Sequence, residues 1–311
     1  MNTGRLIHTA QALVDDVIDV PFLPRRGANT VATARQRFAG GAVTVLLAAA
    51  RSGATCVHAG SVGRGPAGDL IRATLQADGV AVSSPVVEEV DTGVCIVFVE
   101  PSAERTFVTV QGAERRISVE SLATSAPQPG DFVAISGYTL QGPTADPLLD
   151  WLTTLAPGVQ VVLDPGSAFA ELDETTRLAA LAHTTIWTSN LDEARCILGG
   201  TALTGNADMT VAAEALTSHL PAGALAIVRD GPAGCAVAGW CKTTPVPGFP
   251  QTPHDTNGAG DTHTGVMLAE LLAGADPVTA ARRANAAGAL KVTRRGTIPA
   301  KDEIDAFLAK K

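Results

Sequence analysis

Aromatic side chains are scarce: Phe, Trp and Tyr make up 4% of 311 residues. With eight Phe, three Trp and one Tyr, apolar slots that grip a nucleobase are hard to build; Phe22, Phe38 and Phe107 are the candidates. Positive charge is also short. Lys and Arg number 23 against 31 Asp and Glu, for a net charge of −8 and a pI near 5.2. Basic residues cluster only in pairs such as Arg25-Arg26, Arg115-Arg116 and Arg294-Arg295, which leaves no footprint for nucleic acid. The same balance points to a neutral rather than a highly anionic substrate, although local fields can override net charge. Cysteine is limited to five residues, an odd number, without a CxxC or any metal-ligand spacing with His. Buried, reduced thiols in a cytoplasmic protein are the expectation. Long apolar runs are missing. The longest, Val43 to Ala50, is interrupted by Thr44 and is too short to cross a bilayer. Asp15 and Asp16 interrupt the N-terminal stretch, so it does not read as a signal peptide. Walker A, protein-kinase and GxSxG motifs are absent.

What is present is an ordinary globular balance, 46% hydrophobic and 17% charged. Leu6 to Val14 reads as a first strand, Thr44 to Ser52 as a small-residue helix, Thr55 to Ala59 as a strand, and Asp69 to Ala77 as a helix. Thr92 to Val99 and Arg105 to Val110 flank a turn and predict a hairpin. Further on, short apolar strands (132–136, 159–163, 185–188, 225–228) alternate with helices (146–155, 175–182, 191–198, 211–220), and three helices close the chain over roughly 264–273, 277–293 and 302–310. Such alternation implies a doubly wound α/β fold, a mainly parallel sheet flanked by helices, with ligand sites beyond the carboxyl ends of the strands. No linker splits residues 1–311, so a single domain is expected.

Two glycine-rich stretches compete for attention. Gly63-Arg64-Gly65-Pro66-Ala67-Gly68 matches GxGxxG, with Glu88 downstream. It belongs to the second strand–helix unit, and Pro66 removes a donor that a pyrophosphate would need, so a structural loop or pocket lining is favoured. The stretch Asp255-Thr256-Asn257-Gly258-Ala259-Gly260-Asp261 has a clearer logic. Small residues opening a helix leave outward N–H groups, a natural anion site. A carboxylate at its mouth repels phosphate unless it takes a proton from an attacking hydroxyl, which is the logic of phosphoryl transfer. A helix cap is the alternative role for Asp261.

That stretch resembles the D-T-x-G-A-G-D signature of the ribokinase-like (PfkB) family of carbohydrate kinases. Asp15, Ala39-Gly40-Gly41, Ser61-Val62-Gly63, Thr92-Gly93, Glu104-Arg105-Thr106, Asp164-Pro165, Asn190-Leu191-Asp192-Glu193 and Gly231-Pro232-Ala233-Gly234 fall where the family has related motifs. The resemblance implies a ribokinase-like fold with a small β-sheet lid, here about 16–39 and 92–111. It also implies an ATP-dependent sugar kinase using Mg²⁺. Asp261 would be the base, and Gly258, Ala259 and Gly260 the anion hole. Asp15, Gly40, Gly41, Thr44 and Arg105 would hold the sugar. Asn190, Glu193, Arg229, Gly231, Gly234, Asn285 and Gly288 would serve the nucleotide. Many members bind a monovalent cation such as K⁺ through carbonyls near Asp255, Asn257, Lys291 and Gly296, and lid-to-lid homodimers occur; both stay open here, as do a nucleoside acceptor and a catalytically silent binding role. Thr44, Gly65, Arg229 and His263 depart from the family's usual residues and put the substrate, more than the chemistry, in question. Lys291 and Arg294 read as solvated.

Overall fold

The computed structural model describes residues 4–102, 104–199 and 208–311. Nine strands form the large sheet: β1 (Leu6–His8), β4 (Cys56–His58), β6 (Ala81–Val82), β10 (Phe132–Ser136), β11 (Gln160–Asp164), β12 (Ile186–Asn190), β13 (Leu225–Arg229), β14 (Gly234–Ala238) and β15 (Thr244–Pro247). Their spatial order is β15-β14-β13-β12-β11-β10-β1-β4-β6. All pairings are parallel except those of β14 with β13 and with β15. A second sheet, β3-β2-β8-β9, joins β2 (Ala12–Asp19), β3 (Ala34–Gly41), β8 (Val94–Val99) and β9 (Arg105–Val110). Two short strands, β5 (Val62–Gly63) and β7 (Val86–Val87), pair beside them.

The helices are α1 (Ala42–Arg51), α2 (Pro66–Ala77), α3 (Val119–Ala123), α4 (Ala145–Leu152), α5 (Glu174–His183), α6 (Leu191–Ile197), α7 (Met209–Thr217), α8 (Ala259–Leu272), α9 (Pro277–Lys291) and α10 (Lys301–Leu308). They cover both faces of the large sheet and bury two apolar layers. One layer joins Val43, Leu46, Ile71, Val266, Ala284 and Ile304 from α1, α2, α8, α9 and α10. The other joins Leu148, Trp151, Ala180, Ala194 and Leu216 from α4 to α7. Strands buried on both faces explain why their sequences are continuous apolar runs rather than alternating ones. The winding reverses between β1 and β10, which opens a crevice at their carboxyl ends. The fold is ribokinase-like, as the sequence implied.

Several elements differ from the sequence reading. The run Leu6 to Val14 serves two sheets: β1 stops at His8, and the chain leaves the large sheet at 9–11 to enter the small one as β2. Apolarity alone does not mark such a transfer. β3 was not recognised because ARQRFAGG is polar and largely exposed, its strand state coming from pairing with β2. β14 and β15 were missed too, between Gly234 and the proline-rich 245–250. α2 starts at Pro66, three residues early, with proline at the first helical position, where its missing N–H costs nothing. α8 starts at Ala259, so Asp261 lies inside its first turn. The small sheet spans 12–41 and 94–110 rather than 16–39 and 92–111. Ala103, in the expected hairpin turn, lies outside the described residues. No disulfide joins the described cysteines; Cys56, Cys95 and Cys235 are buried and Cys196 is exposed.

Candidate active site

The first turn of α8 sets the centre. Gly258 adopts φ +71°, a left-handed conformation that glycine takes without strain, and no side chain caps the helix. The amides of the first turn therefore lack intrahelical partners at the positive end of the helix dipole, and among them Ala259 N makes a long bond to Thr256 O (3.3 Å). Asp261 stands on the same turn. Burial, then the nearby Asp164 carboxylate, push its pKa up to about 7; Asp15 and Glu193 add to this, and Arg229 opposes it. A carboxylate so placed is half-ionised near neutrality and well matched to proton transfer.

Arg229, at the end of β13, fastens this turn. Its Nη1 donates to Thr264 Oγ1 (2.6 Å), Thr188 Oγ1 (3.0 Å) and Gly260 O (3.4 Å), and its Nη2 lies 3.5 Å from Asp164 Oδ2. Asp164, the last residue of β11, was noted at a strand end but not counted among the site residues. Its aspartate–proline pair at a strand terminus was the available signal.

Three cavities meet here. A cleft of about 580 Å³ is lined by Asn190, Glu193, Arg229, Gly231, Gly234, Asn285 and Gly288, all seven residues assigned to the nucleotide, together with 258–261. Asn190 and Glu193 cap α6 reciprocally: Glu193 N donates to Asn190 Oδ1 (2.8 Å) and Asn190 N to Glu193 Oε2 (2.9 Å). Asn285 is also engaged within the protein. Its Nδ2 donates to Val246 O (3.0 Å), and its Oδ1 lies 3.1 Å from Nε2 of the buried His263. His263 is thus a packing residue.

On the other side of Asp261, a chamber of about 440 Å³ lies between the two sheets, lined by Asp15, Gly41, Val45, Cys95, Thr109 and Gln141 among others. Asp15 sits on the inner face of β2, and burial raises its pKa to about 6. Gly40 makes room for it: a Cβ there would fall 2.3 Å from Asp15 Oδ2. Asp16, on the opposite face, pairs with Arg35 Nε at 2.7 Å.

Thr44 does not line this chamber. It lines a third cavity, of about 260 Å³, with Arg105, Asp255, Asn257, Lys291 and Gly296. Arg105 Nη2 donates to Asp255 Oδ1 (2.6 Å), tying β9 to the loop before α8. The solvated reading of Lys291 is corrected. Only 4% of it is exposed, because the last turn of α9 packs under that loop. Arg294 remains exposed and pairs with Glu303. The guanidinium of Arg105 and the side chain of Lys291 thus both act on the Asp255 carboxylate.

The GxGxxG stretch is filled by the protein itself. Asp91 Oδ2 and Oδ1 accept the Ala67 and Gly68 amides (2.9 and 2.8 Å), so the α2 terminus is closed to a pyrophosphate. Among the described residues no three His, Cys, Asp or Glu side chains converge as a metal cage, and no helix is long and apolar enough to cross a membrane.

Comparison with known proteins agrees with the geometry. The pfkB family carbohydrate kinase pattern matches residues 9–304. An uncharacterized sugar kinase of Escherichia coli K12, YegV, is 29% identical over 296 residues, covering 94% of this chain and 90% of YegV. Ribokinase of Bacillus subtilis is 27% identical, covering 95% and 96% respectively. The fold matches Arabidopsis thaliana ribokinase complexed with ribose and ATP at a TM-score of 0.75, with 20% identity over 98% of this chain and 99% of that one. The chain belongs to the pfkB family of carbohydrate kinases.

Proposed function

We propose that this chain is an ATP-dependent kinase that transfers the γ-phosphoryl group to a hydroxyl of a small carbohydrate. One observation carries the reading: Asp261 stands in the first turn of an uncapped helix and lines both the nucleotide-side cleft and the inter-sheet chamber. Asp15 accepts hydrogen bonds from sugar hydroxyls and orients the ring. Asp261 accepts the proton of the attacking hydroxyl. The amides of 258–260 stabilise charge on the moving phosphoryl group, a preorganised contribution that needs no rearrangement at the moment of transfer. ATP supplies the phosphoryl group, and Mg²⁺ bound with it would screen its charge. Apart from Asp261, the acidic residues that line this cleft among the described residues are Asp164 and Glu193, and with so few carboxylates Mg²⁺ would be held mainly by phosphates and water.

The whole chain acts as one kinase domain, and the small sheet acts as a lid that excludes water from the transfer. β9 is an edge strand with exposed Phe107, Val108 and Val110, so two copies pairing along the lid is part of this proposal; light scattering of the purified protein tests it.

Asp261→Asn keeps the shape and removes the base, so kcat falls by about 10²–10⁴-fold while nucleotide binding persists. Single-turnover assays with a panel of sugars and ATP check this. Near-wild-type turnover by the variant would sink the assignment.

A further inference from the structure

The third cavity has a charge pattern that the proposed chemistry does not use. Five cations line it, Arg37, Arg51, Arg105, Lys291 and Arg295, against Asp15 and Asp255. Three of the cations have partners: Arg51 with Asp78, Arg105 with Asp255, and Arg295 with Asp19. The side chains of Lys291 and Arg37 make no hydrogen bond or ion pair with any described residue, and Arg37 acts on Asp16 only from a distance. Lys291 is the telling one, since it is 4% exposed and opens onto the cavity. Buried cations are normally paired. Here the adjacent carboxylate, Asp255, is already held by Arg105, which repels the ammonium, and Asp261 attracts Lys291 without bonding to it.

We propose that this cavity is an anion subsite that receives an acidic group of the phosphoryl acceptor, a carboxylate or a phosphate monoester. The inference rests on the kinase reading and deepens it: the acceptor is a sugar acid or a sugar phosphate. Continuity with the acceptor chamber carries the assignment. Asp15 lines both spaces. Along one face of β8, Cys95 lines the acceptor chamber while Val97 and Val99 line the cationic cavity. Each step of two residues advances roughly 7 Å. A sugar whose hydroxyls rest on Asp15 therefore extends its far end toward Lys291 and Arg37. The chain's negative net charge is no obstacle, because the field that the ligand meets is the local one.

The test pairs neutral sugars with their carboxylate and monophosphate counterparts, measuring kcat/KM for phosphorylation and, separately, thermal shift without nucleotide. The acidic members are favoured over the neutral ones by roughly 10–100-fold, the size of a charge-assisted contact. Carboxylate against phosphate tells which acid the subsite takes. Lys291→Met erodes that preference and Lys291→Arg restores part of it. Arg37→Gln, on the exposed lid strand where folding is not at stake, erodes it as well. If neutral sugars are phosphorylated best and no variant alters the ranking, the inference falls while the kinase reading stands. If no sugar is phosphorylated, yet acidic sugars give a thermal shift that Lys291→Met abolishes, the subsite stands and the kinase reading falls. Two further results overturn the inference: Lys291→Met raising KM for ATP alone, or inorganic phosphate activating turnover of neutral sugars instead of competing with acidic ones.

Discussion

The raised pKa of Asp261, the proposed base, comes from its surroundings, and the surroundings can be changed one residue at a time. With a pKa near 7, it is protonated and inactive as a base in acid, so kcat/KM has an acid limb near pH 7. Arg229 depresses that value, so Arg229→Gln moves the limb to higher pH. Asp164 raises it, so Asp164→Asn moves the limb to lower pH. Opposite shifts from two neighbours, read from pH–rate profiles, distinguish electrostatic tuning from general damage; shifts of the same sign would refute it. Gly41 and Gly258 could be read in the sequence because each position needs glycine. Gly41, for instance, has φ +62° and would place a Cβ 2.3 Å from Gln11 O. Lys291 was misread because a lysine late in a helix looks the same whether its stem points to water or under a neighbouring loop.

The contact between helices α1 and α8 sets Asp261 against the inter-sheet chamber. Gly265 lets them approach, since a Cβ there would lie 2.3 Å from Val45 O and 2.7 Å from Ala48 Cβ. Gly265→Ala must push the pair apart, with an expected cost of about 1–3 kcal/mol. Urea denaturation with an unchanged midpoint would contradict this. At α2, Asp91→Ala removes the carboxylate that accepts two first-turn amides and costs about 1 kcal/mol, readable in the same experiment. The alternating strands and helices were legible because their period and apolar content are local. β3 and β14 were not, since their strand state depends on partners far along the chain. Thr44 illustrates the same limit: its place in the third cavity follows from how α1 docks.

Taken whole, the molecule buries three histidines that its unfolded chain would leave free to protonate. Burial holds His8 down to about 3, His58 to about 4 and His263 to about 3. Each folded value lies below the unfolded one, so each contributes stability above pH 6.5 that is lost as the pH falls. The slope is about 1.4 kcal/mol per pH unit for each fully titrating group. Asp15 and Asp261, raised to about 6 and about 7, act in the opposite sense and cancel part of this. A net fall in melting temperature between pH 6.5 and 4.5 is expected, and His58→Asn should flatten it; calorimetry across that range is the check. The order of the chain adds a last consequence. The site joins β2 and α1, near the beginning, to α8 and α9, near the end. During synthesis the small sheet and α1 emerge long before Asp261, so a nascent chain lacks the proposed base. On the proposed mechanism, catalytic competence waits for the last fifth of the polypeptide to dock.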